Sequence, residues 1–73
     1  MKNIIRTRRK ELGFSQDELA KKCDVSRQTI NAIENNKYNP SLELALKIVR
    51  YFNMSIDEIF ILKEEENKYE EKR

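Results

Sequence analysis

The chain has 73 residues, with one cysteine, no histidine, one glycine and one proline, a set that leaves little with which to build an enzyme active site, a metal centre or a glycine-rich phosphate loop. Fifteen Lys and Arg against thirteen Asp and Glu give a net charge of +2, and the balance is uneven: residues 1–50 hold eleven basic and six acidic side chains, residues 51–73 four and seven. A basic body with an acidic end fits a nucleic-acid binder, although ordinary solubilising charge gives the same count.

A chain this short folds as one small domain with a marginal core, and its scarcity of Gly and Pro predicts that nearly all of it is helical. No run is long and apolar enough to span a bilayer. The lone Cys23 and the lack of a signal-like segment lead us to expect a cytoplasmic protein without disulfides, with Cys23 as a packed thiol. No cofactor is expected.

The first helix is predicted from about Asn3 to Leu12, with Ile5 and Leu12 on one face, Arg8 or Arg9 between them, and Gly13 as the residue that ends it. Arg6, Thr7 and Lys10 face outward, towards either phosphates or water. Ile4 lies off the apolar stripe, so it faces a partner subunit or the first residues are extended.

Phe14 to Asn35 reads as two short helices joined by a tight turn. Ser15 with Glu18 forms a capping box, and Leu19, Ala20 and Cys23 share one face. Asp24 and Val25 interrupt the pattern, Ser26 caps a second helix, and Ile30 and Ile33 mark its buried side. Two short helices cross closely where a small residue sits at the contact, and Ala20 is that residue. The opposite face of the second helix presents Arg27, Gln28, Thr29 and Asn31. Arg bonds two acceptors on guanine, and Gln or Asn bonds adenine in the same two-pronged way. A solvated polar face is the other reading, but this face has no Glu or Lys before Glu34.

The stretch Asn35 to Ser41 is rich in turn residues. Lys37 and Tyr38 can donate to phosphate oxygens, and Tyr38 can equally cover the edge of the core. Ser41 caps a helix running to Phe52, which carries two apolar faces: Leu42, Ala45, Leu46, Val49 and Phe52 on one, and Leu44, Ile48 and Tyr51 on the other. A surface helix needs one such face, so the second is either extra core or a subunit interface. Ser55 and Glu58 open a short helix. The apolar run Ile59 to Leu62 precedes an abrupt charged stretch, which suggests a short strand or extended segment at a dimer contact. The expected organisation is a domain over 1–62 and a charged tail over 63–73, with 67–73 frayed or disordered.

Gln16, Ala20, Val25, Ile30 and Ile33, with the run Ser26 to Ile30, resemble the helix-turn-helix of the phage-repressor-like family of bacterial regulators, over roughly Ile5 to Phe60. The run from Arg27 to Ile48 is similar to a subgroup of short, single-domain, dimeric repressors. The resemblance implies an all-α, five-helix, lambda-repressor-like domain, with a short strand at its end as an added feature. It implies base contacts from Arg27, Gln28, Thr29 and Asn31, and an ion pair between Arg9 and Glu34. It gives Gln16 a phosphate contact or a lock on the recognition residues, beside phosphate contacts expected from Ser26, Asn35, Lys37 and Tyr38. The family usually has Gly where this chain has Asp24, a turn position that commonly needs positive φ.

The expected function is a sequence-specific transcriptional regulator, acting as a repressor on double-stranded DNA at a near-palindromic operator, as a homodimer. Leu44, Ile48, Tyr51, Ile59, Ile61 and Leu62 are the expected interface. No sensing domain for a small-molecule effector is evident. The alternative is an antitoxin-like module whose tail neutralises a partner, although the tail offers only Tyr69 as an apolar anchor.

Overall fold

The computed structural model describes residues 1–62. The chain runs β1 (Lys2–Asn3), α1 (Ile5–Glu11), α2 (Gln16–Cys23), α3 (Arg27–Glu34), α4 (Leu42–Phe52), α5 (Ile56–Ile59) and β2 (Phe60–Ile61). Five helices and a terminal strand pair therefore make the domain. The expectation for the tail, 63–73, lies outside the described residues.

Serine hydroxyls open three of the helices. Ser15, Ser26 and Ser41 accept from the backbone N–H groups of Glu18, Thr29 and Leu44 at 3.0, 3.2 and 3.1 Å. The Glu18 carboxylate completes the box by accepting from the Ser15 N–H at 2.8 Å. At α5 the Glu58 carboxylate takes both the N–H and the hydroxyl of Ser55.

Left-handed residues close four of the helices, α1 to α4. After α1, Gly13 at φ 80° allows its own N–H to reach the Lys10 carbonyl and the Phe14 N–H to reach that of Arg9. Asp24 (φ 60°) after α2 and Asn36 (φ 61°) after α3 build the same pair of bonds, and Asn53 (φ 56°) ends α4. This is the Schellman arrangement, in which short polar side chains stand in for glycine. Asp24 thus adopts the positive φ that the turn of the motif demands.

The first residues are extended, and α1 begins later than Asn3. Lys2 and Asn3 pair antiparallel with Ile61 and Phe60, and the Ile4 N–H donates to the Ile59 carbonyl at 3.0 Å. The Asn3 side chain explains the late start. Its Oδ1 accepts the Ile5 N–H at 3.1 Å, while its Nδ2 donates to the Ile33 carbonyl at 2.8 Å. One amide therefore starts α1 and finishes α3. Leu12, expected beside Ile5 in the core, is the exposed C-cap of α1.

The core gathers Ile5, Leu19, Ala20, Cys23, Ile30, Ile33 and Phe52 with the apolar side of α4 and α5. Here the expected interface is corrected. Leu44, Ile48 and Ile59 are buried within the subunit, Ile48 and Ile59 at 0% exposure, and offer nothing to a second copy. Leu42 and Leu46, expected in the core, are 70% and 53% exposed. The buried side of α4 draws on both expected faces, Leu44 and Ile48 from one and Ala45 and Phe52 from the other, because packing of α4 against α2 and α5 covers the border between them. Among the described residues the large apolar side chains left exposed are Leu12, Tyr38, Leu42, Leu46, Tyr51, Ile56, Ile61 and Leu62.

Candidate nucleic-acid interface

The helix α3 has one buried side and one open side. Ile30 and Ile33 are in the core, and Ala20 of α2, 1% exposed, lets the two helices approach. On the open side Arg27, Gln28 and Asn31 are exposed, while Thr29 is half-buried. Thr29 turns its hydroxyl to Ser26 Oγ at 3.0 Å, so this pair shapes the start of the helix. Arg27 and Gln28 follow the cap directly, where unpaired N–H groups and the helix dipole favour an anionic partner. Lys37 and Tyr38, in the loop that follows, are exposed as well.

Beneath the open face lies a polar cluster centred on Glu34, whose side chain is 0% exposed. Arg9 grips the carboxylate with two bonds, Nε to Oε2 at 2.7 Å and Nη2 to Oε1 at 3.2 Å. Arg9 Nη1 donates to the Phe14 carbonyl at 2.9 Å, which ties the α1–α2 turn to the same point. Gln16 Nε2 adds a bond to Oε1 at 3.0 Å, and Arg6 Nε reaches Oε1 at 3.4 Å. Gln16 therefore ties the start of α2 to α3 beneath Arg27, Gln28 and Asn31. Burial pushes the Glu34 carboxyl up, but the hydrogen bonds from Arg9, Gln16 and Arg6 and the Arg9 charge outweigh it and hold the group below the usual glutamate value. It remains a carboxylate beneath the open face of α3 because the guanidinium groups of Arg9 and Arg6 neutralise it from the α1 side.

Asn35, expected at a phosphate, spends both ends of its amide within the protein. Nδ2 donates to the Asn31 carbonyl at 2.9 Å and to Asn31 Oδ1 at 3.3 Å, and Oδ1 accepts from Arg6 Nη2 at 3.1 Å. Arg6 and Asn35, expected to face phosphates or water, bond each other instead, and Asn3 reaches Ile33 at the end of α3. The spacing of Asn31 and Asn35 is a helical i, i+4 pair and was visible; the contact from Arg6, 29 residues earlier, was not. Among the described residues no three metal-ligating side chains lie together, and no helix is long and apolar enough to cross a membrane.

Comparison with known proteins agrees with this geometry. The helix-turn-helix family pattern matches residues 5–59. An uncharacterized HTH-type transcriptional regulator of Methanocaldococcus jannaschii is 50% identical over 66 residues, covering 90% of this chain and 100% of the relative. The N-terminal DNA-binding domain of SinR from Bacillus subtilis superposes with a TM-score of 0.65 at 36% identity, covering 71% of this chain and 77% of that one. SinR in complex with DNA gives a TM-score of 0.68 at 34% identity, over 74% and 90% of the two chains. A match over most of the chain, with the capped α2–turn–α3 unit and its open polar face in place, puts this protein in the helix-turn-helix family, as a DNA-binding transcriptional regulator and not an enzyme.

Proposed function

We propose that this regulator is a repressor that binds a near-palindromic operator as a homodimer in the cytoplasm. The observation that carries the DNA-reading part is the open face of α3, where Arg27, Gln28 and Asn31 stand exposed above a helix fixed from beneath. Side chains on a held helix can enter a major groove without first being ordered, and their donors and acceptors match those of base edges. Thr29 completes the base-facing set. Lys37 and Tyr38, with Ser26 and the second N–H of Gln16 at the helix starts, supply phosphate contacts.

The dimer rests on a different observation. Leu42, Ile56 and Leu62 line one apolar groove with Met1 and Pro40, and Ile61 and Leu46 are exposed beside these elements. A domain of this size gains from covering such a surface. A second copy fits, because two-fold pairing sets two recognition helices about 34 Å apart, one turn of the duplex. Ile61 and Leu62 remain from the interface expected at the sequence level, and Leu42, Leu46 and Ile56 join them; Tyr51 lies on the other side of α4, its ring beside Lys22 of α2.

Selection of bound sites from random duplex DNA with the purified protein tests this function. The expected outcome is an inverted repeat whose half-sites lie about one helical turn apart. Arg27→Ala then lowers affinity for the best site by about 1–3 kcal/mol and relaxes one position, whereas Lys37→Ala weakens every sequence alike and flattens the salt dependence. Enrichment of no motif, or the same response from both variants, overturns the assignment.

A further inference from the structure

The orientation of the Asn31 side chain is set by Asn35, the C-cap of its own helix, which Arg6 of α1 in turn holds. Asn35 Nδ2 points at two oxygens of Asn31, the carbonyl and Oδ1. The reversed amide would put oxygen against oxygen there, and would turn an N–H₂ group towards the guanidinium of Arg6, which only donates. Asn35 therefore has a single compatible orientation. Arg6 is itself braced, since its Nε lies 3.4 Å from the buried carboxylate of Glu34, which Arg9 holds with two bonds. A continuous run of polar contacts thus leads from the interior, through Arg6 and Asn35, to a side chain on the exposed face of α3.

We propose that Asn35, held by Arg6, is a positioning residue that presents Asn31 to the duplex as an N–H donor. This rests on the DNA-reading function above. With Oδ1 of Asn31 taken by Asn35, Nδ2 occupies the other side of the amide carbon, facing the open side. The chemistry that meets an N–H donor in the major groove is a base-edge acceptor: purine N7, guanine O6 or thymine O4. Oδ1 accepts one bond from Asn35 at 3.3 Å and keeps a second lone pair, so adenine, with N7 and the N6 amino group, can meet both ends of the amide. The position under Asn31 requires a base-edge acceptor opposite Nδ2. Asn35 does this without touching DNA, so its effect appears only through Asn31.

A double-mutant cycle on the selected operator tests this. The base pair read by Asn31 is the one whose preference Asn31→Ala relaxes. Asn35→Ala is expected to relax the same base pair, by roughly fivefold or more, with the salt slope unchanged. The Asn31→Ala, Asn35→Ala double variant is expected to be no worse at that position than Asn31→Ala alone. If a purine is read there, a 7-deaza base is expected to abolish the wild-type preference. Additive losses, uniform across sequences and with a shallower salt slope, would make Asn35 a phosphate contact and overturn the positioning role while the DNA-reading function stands. A wild type with no sequence preference would remove that function and this role together. An independent readout is the side-chain amide resonance of Asn31 in free protein. It is expected to shift and sharpen towards free-amide behaviour in folded Asn35→Ala, and an unchanged resonance overturns the proposal.

Discussion

Removal of the Arg9 side chain tests the buried ion pair that joins α1 to α3. In Arg9→Ala, Glu34 Oε2 loses its 2.7 Å donor and Oε1 keeps those of Gln16 and Arg6. Breaking a buried pair by deleting one partner costs about 3–5 kcal/mol. Because two donors remain on Oε1, the lower end, about 3 kcal/mol, is expected. A chain of 73 residues has a total stability of roughly 4–11 kcal/mol at typical per-residue values, so the variant keeps little margin and melts about 12–24 °C lower. Urea unfolding at one fixed protein concentration measures the difference, since self-association raises apparent stability. The pH dependence has a definite sign. The folded carboxyl of Glu34 lies below its unfolded value of about 4.3, so its stabilising contribution is present above that value and fades as pH falls through the folded one. In the variant, burial without Arg9 raises the same group, so the gap between wild type and variant narrows towards about pH 4. Arg9→Met combined with Glu34→Leu should recover most of the loss, because apolar side chains of similar size often replace a buried pair at no cost. A loss below about 1 kcal/mol at pH 7, the range of exposed pairs, or a gap that does not narrow in acid, would refute this reasoning.

Three further outcomes are expected. Asp24→Gly should stabilise the fold by about 0.5 kcal/mol, because relief of the left-handed φ of 60° slightly exceeds the added unfolded-state entropy; a clear loss in urea midpoint would show that the Asp24 side chain contributes more than its backbone costs. Ile61→Glu should release monomers in sedimentation at micromolar concentration and abolish tight operator binding while leaving weak nonspecific binding, with unaltered sedimentation counting against this interface. Cys23 is fully buried, and burial pushes its thiol up, the nearby Lys47 charge only partly opposing this. Native protein at pH 8 should therefore react with a thiol reagent only as fast as it opens, and rapid labelling would mean that the α2 face is accessible.

The amino-acid sequence alone determined the helices, their caps and the open polar face of α3. These are local matters: Ser15 with Glu18, Ser26 ahead of Arg27 to Asn31, and the i, i+3 spacing of Ile30 and Ile33 all act within a turn or two of chain. The family resemblance added the Arg9–Glu34 pair, which no local pattern could supply across 25 residues. Tertiary structure decided the rest. It set which strip of the broad apolar surface of α4 is covered, burying Leu44, Ala45, Ile48 and Phe52 and leaving Leu42, Leu46 and Tyr51 exposed, because only the positions of α2 and α5 decide that. It drew Lys2 and Asn3 into a strand against Phe60 and Ile61, since strand pairing depends on where a distant segment lies. It also brought Arg6 to Asn35 across the α1–α3 contact, and so turned an exposed amide on the recognition helix into one with a fixed direction.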